Sequence, residues 1–475
     1  MSALETYRRI GSDRIASGDI AGALAPLRIA RRLAPTDAAV GQVLGQLLFV
    51  LGEQERGAGR LESARNYFAE GVGHAPDDAA LWNGLGQCCV AVGDVAEGVE
   101  CYRRARRLRP DAAIIHSNLG NALVRLNRDE AADEAYARAS LLLPDDPEIR
   151  HNRALHMLRR GRLAEGWDEY RARLLRPGCR PPLDGPEWDG GDPAGRTIAV
   201  WSEQGIGDEL MFGTCVPDLA AQAGHVVWEC APKLAGLLQR SLPQVSVVAR
   251  PAAAAEAQTA EERFPWRPQV PAIDGWIGVA GLAAVYRRSI ANFPSAAGFA
   301  CADPKRRADA AAWLAALPQP RVGLCWRGGV VTQTRSLVYA GVTEMARLVR
   351  ETGITPVLLQ YRADDTERAA LSGLGIDVHA MPGLDLFDDI EGAAALIAEL
   401  DLVVAAGTSV AELAGALGVP VWRFGPQSDF TLLGSGSRPW FPSMRVFTKP
   451  DAERDWSALF ERMASELRLR SAGRP

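Results

Sequence analysis

Three short stretches of this 475-residue chain combine glycine, hydroxyl and charged side chains in patterns suited to chemistry on an anionic ligand. The first, Glu203-Gln204-Gly205-Ile206-Gly207-Asp208-Glu209, follows the apolar run TIAVW (197–201) directly. Gly205 and Gly207 let the chain turn tightly and bring backbone N–H groups close to a ligand at the start of a following helix. Asp208, with Glu203 as competitor, suits a base that takes a proton from an acceptor hydroxyl, and it suits a plain helix cap as well. The second stretch is Arg327-Gly328-Gly329 with Thr332-Gln333-Thr334-Arg335-Ser336, after RVGLCW (321–326). Two guanidinium groups among glycines and hydroxyls suit a diphosphate and offset charge on a departing nucleotide without a metal; the plain alternative is solvated surface arginine. In the third, from Asp401 to Trp422, a strand ends, Gly407 turns the chain and Thr408 or Ser409 caps a helix, which makes an anion site. Glu412 stands about one turn into that helix, where a carboxylate suits ribose hydroxyls or a structural salt bridge.

The elements that must position these stretches show in the hydrophobic pattern. Runs TIAVW, HVVWEC (225–230), VSVVA (245–249), RVGLCW, TPVLLQ (355–360), DLVVAA (401–406) and VPVWRF (419–424) alternate with amphipathic helical segments. That alternation predicts parallel, doubly wound α/β sheets in two sets, separated by a weakly patterned stretch near residues 287–320. Two such sets facing one another make a cleft at the carboxyl ends of their strands, where the three stretches begin. A closing helix is expected over roughly Trp456–Leu469.

The first third has a different grammar. Pro76, Pro110 and Pro144 recur every 34 residues, whereas Pro35 precedes Pro76 by 41. Residues 79–112 offer Trp82, Leu85, Gly86, Gly98, Tyr102, Ala105 and Pro110, and the next unit repeats this with His116, Leu119, Gly120, Ala132, Tyr136, Ala139 and Pro144. The first unit has Tyr7, Ile10, Gly11, Ala23, Leu27, Ala30 and Pro35. Small residues let two antiparallel helices approach, aromatics fill the gap to the next hairpin, and proline stops the second helix. The seven extra residues of the second unit are assigned to Glu53–Gly59, as a longer inter-helix loop. A fifth hairpin, 147–176, keeps Trp167 and Tyr170 and reads as a cap. This segment resembles the tetratricopeptide family, whose solenoids hold protein segments in a groove. The Pro/Gly-rich stretch 177–195 reads as a linker.

Composition limits the partners. A net charge of −5 gives no electrostatic reason for nucleic acid or an anionic membrane. The most apolar stretch, 393–424, is interrupted by Glu399, Asp401, Glu412 and Arg423, too many charges for a membrane span. The start MSALETYRRI has no apolar core, so a cytoplasmic protein is expected. Among eight cysteines there is no CxxC, only adjacent Cys88 and Cys89, and His151 and His156 have no thiol or carboxylate arranged beside them. No metal or other cofactor is expected.

The segments WDG (188–190), WSEQGIGDELMF (201–212), VGLCWRGG (322–329), LDLVVAAGTSVAELAGALGVPVW (400–422) and RPWFPSMRVF (438–447) resemble the heptosyltransferase family and, more distantly, the protein O-linked N-acetylglucosamine transferases. The resemblance implies a metal-independent glycosyltransferase of the glycosyltransferase-B (GT-B) fold, two facing Rossmann-like lobes. Residues 1–176 then form the repeat domain, 196–300 the acceptor-side lobe and 301–475 the nucleotide-sugar lobe. It places Asp208 (or Glu203) as base and Gly205, Gly207, Arg327, Arg335, Gly407, Thr408, Ser409 and Glu412 around a nucleotide-sugar donor. Relatives read Asp-Thr-x-x-Ala-His in the third stretch, where this chain has Gly407 and Glu412. The architecture also resembles flagellin glycosyltransferases, which implies a Ser or Thr acceptor recruited by the repeats, flagellin and a CMP-linked nonulosonic acid being the most specific case. A non-catalytic scaffold with a vestigial nucleotide-sugar lobe and a lipopolysaccharide-core sugar transferase are the alternatives.

Overall fold

The computed structural model describes residues 2–176, 185–251 and 263–472, so the linker expectation at 177–195 lies partly outside the described residues. The chain divides into two compact units: 1–152 with 332–337 and 450–454, and 153–331 with 338–449 and 455–475.

The first unit is a run of antiparallel helical hairpins. Its helices are α1 (Ala3–Ala16), α2 (Leu24–Leu33), α3 (Ala38–Gly57), α4 (Leu61–His74), α5 (Ala79–Val92), α6 (Val95–Leu108), α7 (Ala113–Arg125) and α8 (Asp129–Leu142). Local chemistry starts them: Ser2 and Glu5 form a capping box on α1, and Asp37 and Asp78 accept from the first free N–H groups of α3 and α5. What pairs them is a repeated close approach. A Cβ at Gly11 would stand 2.7 Å from Leu27, at Gly52 2.8 Å from Phe68, at Gly86 2.8 Å from Tyr102 and at Gly120 2.9 Å from Tyr136. Each glycine therefore makes room for one large side chain 16 positions on, in all four hairpins.

That pairing relocates the insertion. Gly52 and Phe68 keep the separation seen in the other hairpins, so nothing is added between them and Glu53–Gly59 is not a lengthened loop. The extra residues lie before Gly52, in α3, which has 20 residues against 14 in α5 and 13 in α7. Seven residues are close to two helical turns, so they lengthen the helix without turning Gly52 away from Phe68.

The second unit begins within the fifth hairpin, whose helices are α9 (Pro147–Arg159) and α10 (Leu163–Tyr170), and holds two fully parallel sheets. The first has the order β3-β2-β1-β4, with β1 Thr197–Trp201, β2 His225–Cys230, β3 Ser246–Ala249 and β4 Gly275–Gly278. The second has the order β6-β5-β7-β8-β9, with β5 Arg321–Cys325, β6 Thr355–Leu358, β7 Leu402–Ala406, β8 Val421–Pro426 and β9 Met444–Lys449. β1 and β7 are buried at every residue, as strands covered on both faces must be. The chain reverses its direction of travel between β1 and β4 in one sheet and between β5 and β7 in the other, and a crevice opens at such points beyond the strands' carboxyl ends. β4 and β9 were not anticipated as strands. The stretch near 287–320 contains a helix, Pro304–Leu314, and the closing helix spans Ser457–Ala472 against Val342–Thr352, tied by Arg347 to Glu461 at 2.6 Å.

Replacing Tyr102 by Ala should cost the first unit about 3–5 kcal/mol, the range for emptying a buried aromatic site. Urea unfolding followed by circular dichroism measures it, and an unchanged first transition would show that the Gly86–Tyr102 contact does not hold the hairpin.

Candidate active site

The turn after β1 and the helix start after β7 meet. Gly205 precedes α11 (Ile206–Gly213), and the loop after β7 leads through Thr408 into helix Ser409–Ala416. A Cβ at Gly207 would lie 3.4 Å from Cγ of Glu412 and 3.5 Å from Cα of Ser409, so the two segments touch. Asp208 stands in the first turn of α11 at this contact. Burial pushes its carboxyl up to about 6; neighbouring Glu412 adds to the rise, while the Gly205 N–H and Arg438 pull the other way. A raised carboxyl of this kind is one trait of a general base.

Glu203 is differently placed. Both of its oxygens are engaged by Arg173, Nε to Oε2 at 2.9 Å and Nη2 to Oε1 at 2.5 Å, and the Ala280 N–H reaches Oε1 at 3.3 Å. Glu209 points away from the turn: it is fully buried, accepts from the Ala231 N–H at 2.8 Å and pairs with Arg250 at 3.3 Å. Burial pushes its carboxyl up to about 7.

Gly407 and Glu412 of the third stretch sit in a buried ion network. A Cβ at Gly407 would stand 2.4 Å from Nη2 of Arg423, so the guanidinium occupies the room a larger residue needs. Arg423 pairs with Asp429 at 2.6 Å, and Arg438 donates to Oε1 of Glu412 at 2.6 Å. Burial opposes charge on Asp429, yet Arg423 and Arg438 hold its carboxyl down at about 2. Oε2 of Glu412 is buried and has no hydrogen-bond partner among the described residues. Thr408 is buried with Oγ1 at 3.7 Å from Sγ of Cys325, which joins the ends of β7 and β5.

The two arginines of the second stretch belong to different compact units. Arg327 forms a bidentate pair with Glu367, Nε to Oε1 and Nη2 to Oε2 both at 2.6 Å, and so is committed within the protein. Arg335 is exposed in the short helix Gln333–Ser336, a segment that belongs to the first compact unit.

Other cations serve this side of the second sheet. A cavity of about 440 Å³ opens beyond β6, lined among others by Tyr361, Arg362, Arg368 and Phe387. Arg362 has φ +54, a left-handed conformation rare outside glycine, and its guanidinium lies 3.7 Å from the centre of the Phe387 ring. Buried Gln360 braces the floor, its Oε1 accepting from the N–H groups of Trp326 and Arg327, both at 3.0 Å. Sequence reasoning missed Arg362, Arg368, Arg423 and Arg438. Only Arg423, a charge inside an apolar strand, carried a signal.

Replacing Asp208 by Asn should stabilise the protein at pH 7.5 by up to about 3 kcal/mol. The folded-state value lies above the unfolded one, so ionisation opposes folding above about pH 6 and the gain vanishes below about pH 4. Thermal unfolding of both proteins between pH 4 and 8 measures this; a pH-independent difference would remove Asp208 as a perturbed carboxyl.

Comparison with known proteins agrees with the helical part. The tetratricopeptide-repeat family matches residues 49–113 and 90–147. Protein FlbA of Caulobacter vibrioides is 29% identical over 408 residues, 84% of this chain and 68% of that protein, so the likeness extends beyond the repeats. Solved structures that are similar include MamA, with 19% identity over 35% of this chain and 93% of that one at a TM-score of 0.29. A thermophilic tetratricopeptide protein of Thermus thermophilus has 22% identity over 37% of this chain and 91% of that one at 0.26. The hairpins over residues 49–147 are tetratricopeptide repeats, and a parallel-sheet α/β region follows in this chain.

Proposed function

We propose that the chain is a GT-B-type glycosyltransferase that moves a sugar from a nucleotide-sugar donor to a Ser or Thr hydroxyl of a protein acceptor. The observation that carries this reading is Asp208, a carboxyl held near 6 where the turn after β1 touches the helix start at Ser409. In it, Asp208 takes the proton of the acceptor hydroxyl as that oxygen attacks the anomeric carbon and the nucleotide diphosphate or monophosphate departs. Thr408 and Ser409 hold the leaving phosphate at the helix start, and the cavity beyond β6 takes the nucleoside between its aromatic and guanidinium groups. Charge on the leaving group is met by these donors and cations, with no metal called for. The repeats present the acceptor, for which flagellin with a CMP-linked nonulosonic acid is the first case to try.

A second reading, a scaffold that binds a nucleotide sugar without turnover, is favoured by one observation. Arg327 and Glu412, both assigned to the donor, are each tied to a partner within the protein.

Purified protein with donor and flagellin should give a mass increment on flagellin. The rate should fall as pH drops through about 6, because protonated Asp208 cannot act as base, and Asp208→Asn should lower kcat about 10²–10⁴-fold. Binding of nucleotides by thermal shift with no increment from any of several donors would select the scaffold instead.

A further inference from the structure

We infer that Arg173 is a positioning residue: from the last helical hairpin it fixes the turn that carries Asp208 by clamping Glu203. Arg173 lies in the single 3₁₀ turn Arg171–Leu175 that follows α10, and its side chain is buried. All three guanidinium nitrogens are used. Nε and Nη2 grip the two oxygens of Glu203, and Nη1 donates to the Tyr170 carbonyl at 3.1 Å. The neighbouring turn residue is held from the same place, since Gln204 donates through Nε2 to the Tyr170 hydroxyl at 3.0 Å. Two consecutive residues of the turn are thus gripped by two hairpin residues three positions apart, on one helical face.

The surrounding strands are shaped to admit this clamp. A Cβ at Gly278, the last residue of β4, would lie 2.4 Å from Oε1 of Glu203 and 3.3 Å from Nη2 of Arg173. The hairpin itself is immobilised on both sheets' loops. Trp167 donates to the Arg287 carbonyl at 3.0 Å and meets Phe212 and Trp440 edge-on, with ring centres 6.0 and 5.9 Å away. Tyr170 contacts Phe212 and Phe430.

Buried ion pairs contribute little net stability over apolar residues of similar volume, so a bidentate pair here is explained by the geometry it imposes. It holds Glu203 against the hairpin, and the chain then reaches Asp208 through Gly205, the residue just before α11. Without the clamp, two glycines would leave the approach to Asp208 free to shift.

The inference rests on the transferase reading only for its kinetic readout. The test uses full-length protein carrying Arg173→Met, Arg173→Lys, or Arg173→Met with Glu203→Met. In Arg173→Met, amide hydrogen exchange should accelerate across residues 201–212, and kcat should drop about a hundred-fold, the cost of misplacing a reacting group by about 1 Å, at unchanged donor KM. Arg173→Lys, which keeps the charge but not the fork, should recover part of kcat. The apolar double variant should regain thermal stability but not kcat, and its residual activity should keep the acid limb near pH 6 that Asp208 supplies. Recovery of kcat together with stability, loss of that limb, or unchanged exchange across 201–212 in Arg173→Met would each overturn the clamp. A wild-type protein with no transfer activity defeats the proposed function, and the exchange measurement still decides the clamp. If Arg173→Met does not fold, the double variant carries the comparison.

Discussion

Charged groups taken out of water must find partners, and at the strand ends of the second unit that requirement organises nearly everything. Arg173 with Glu203, Arg327 with Glu367, Arg423 with Asp429 and Arg438 with Glu412 form four pairs around the carboxyl ends of the two sheets. Removing one member of such a pair leaves the other stranded, which is far costlier than losing both. The pairs therefore fix the loops around them. They also sort the ionisable groups by availability: the paired ones are spent on architecture, Glu209 is raised by burial but tied to Arg250, and part-buried Asp208 is raised at the contact with Ser409 and Glu412.

The same pairs account for the residues at the third stretch. Gly407 is small because Arg423 lies against it, and Glu412 faces Arg438 in place of a neutral or cationic ring. The two positions are linked through Arg423, which needs the room at Gly407 and lies 3.9 Å from Oε1 of Glu412. The second oxygen of Glu412 is left without a partner among the described residues. An oxygen buried without a partner is costly unless a ligand hydroxyl completes it.

Periodicity made the scaffold legible. TIAVW and HVVWEC coincide with β1 and β2, because buried parallel strands are written as unbroken apolar runs. β4, with the sequence GWIG, has two glycines in four residues and no such run, so it passes unseen until β1 supplies its partner. The site was legible only in part. The glycine turns at 205 and 407 are local signals, and the structure has both at strand ends. Pairings such as Arg173 with Glu203 join elements 30 positions apart, and no local pattern records them. Arg327, in the loop after β5, read as a phosphate ligand because its partner, Glu367, sits 40 positions away on a helix.

The long α3 has a consequence for the shape of the repeat stack. Two added turns carry its leading end about 10 Å past where a helix of ordinary length would begin. The rods that line such an array normally start level with one another, like the teeth of a comb. Here one tooth overhangs, and the surface along the row acquires a step. A flat extended strand laid across the array would have to climb that step or bend around it.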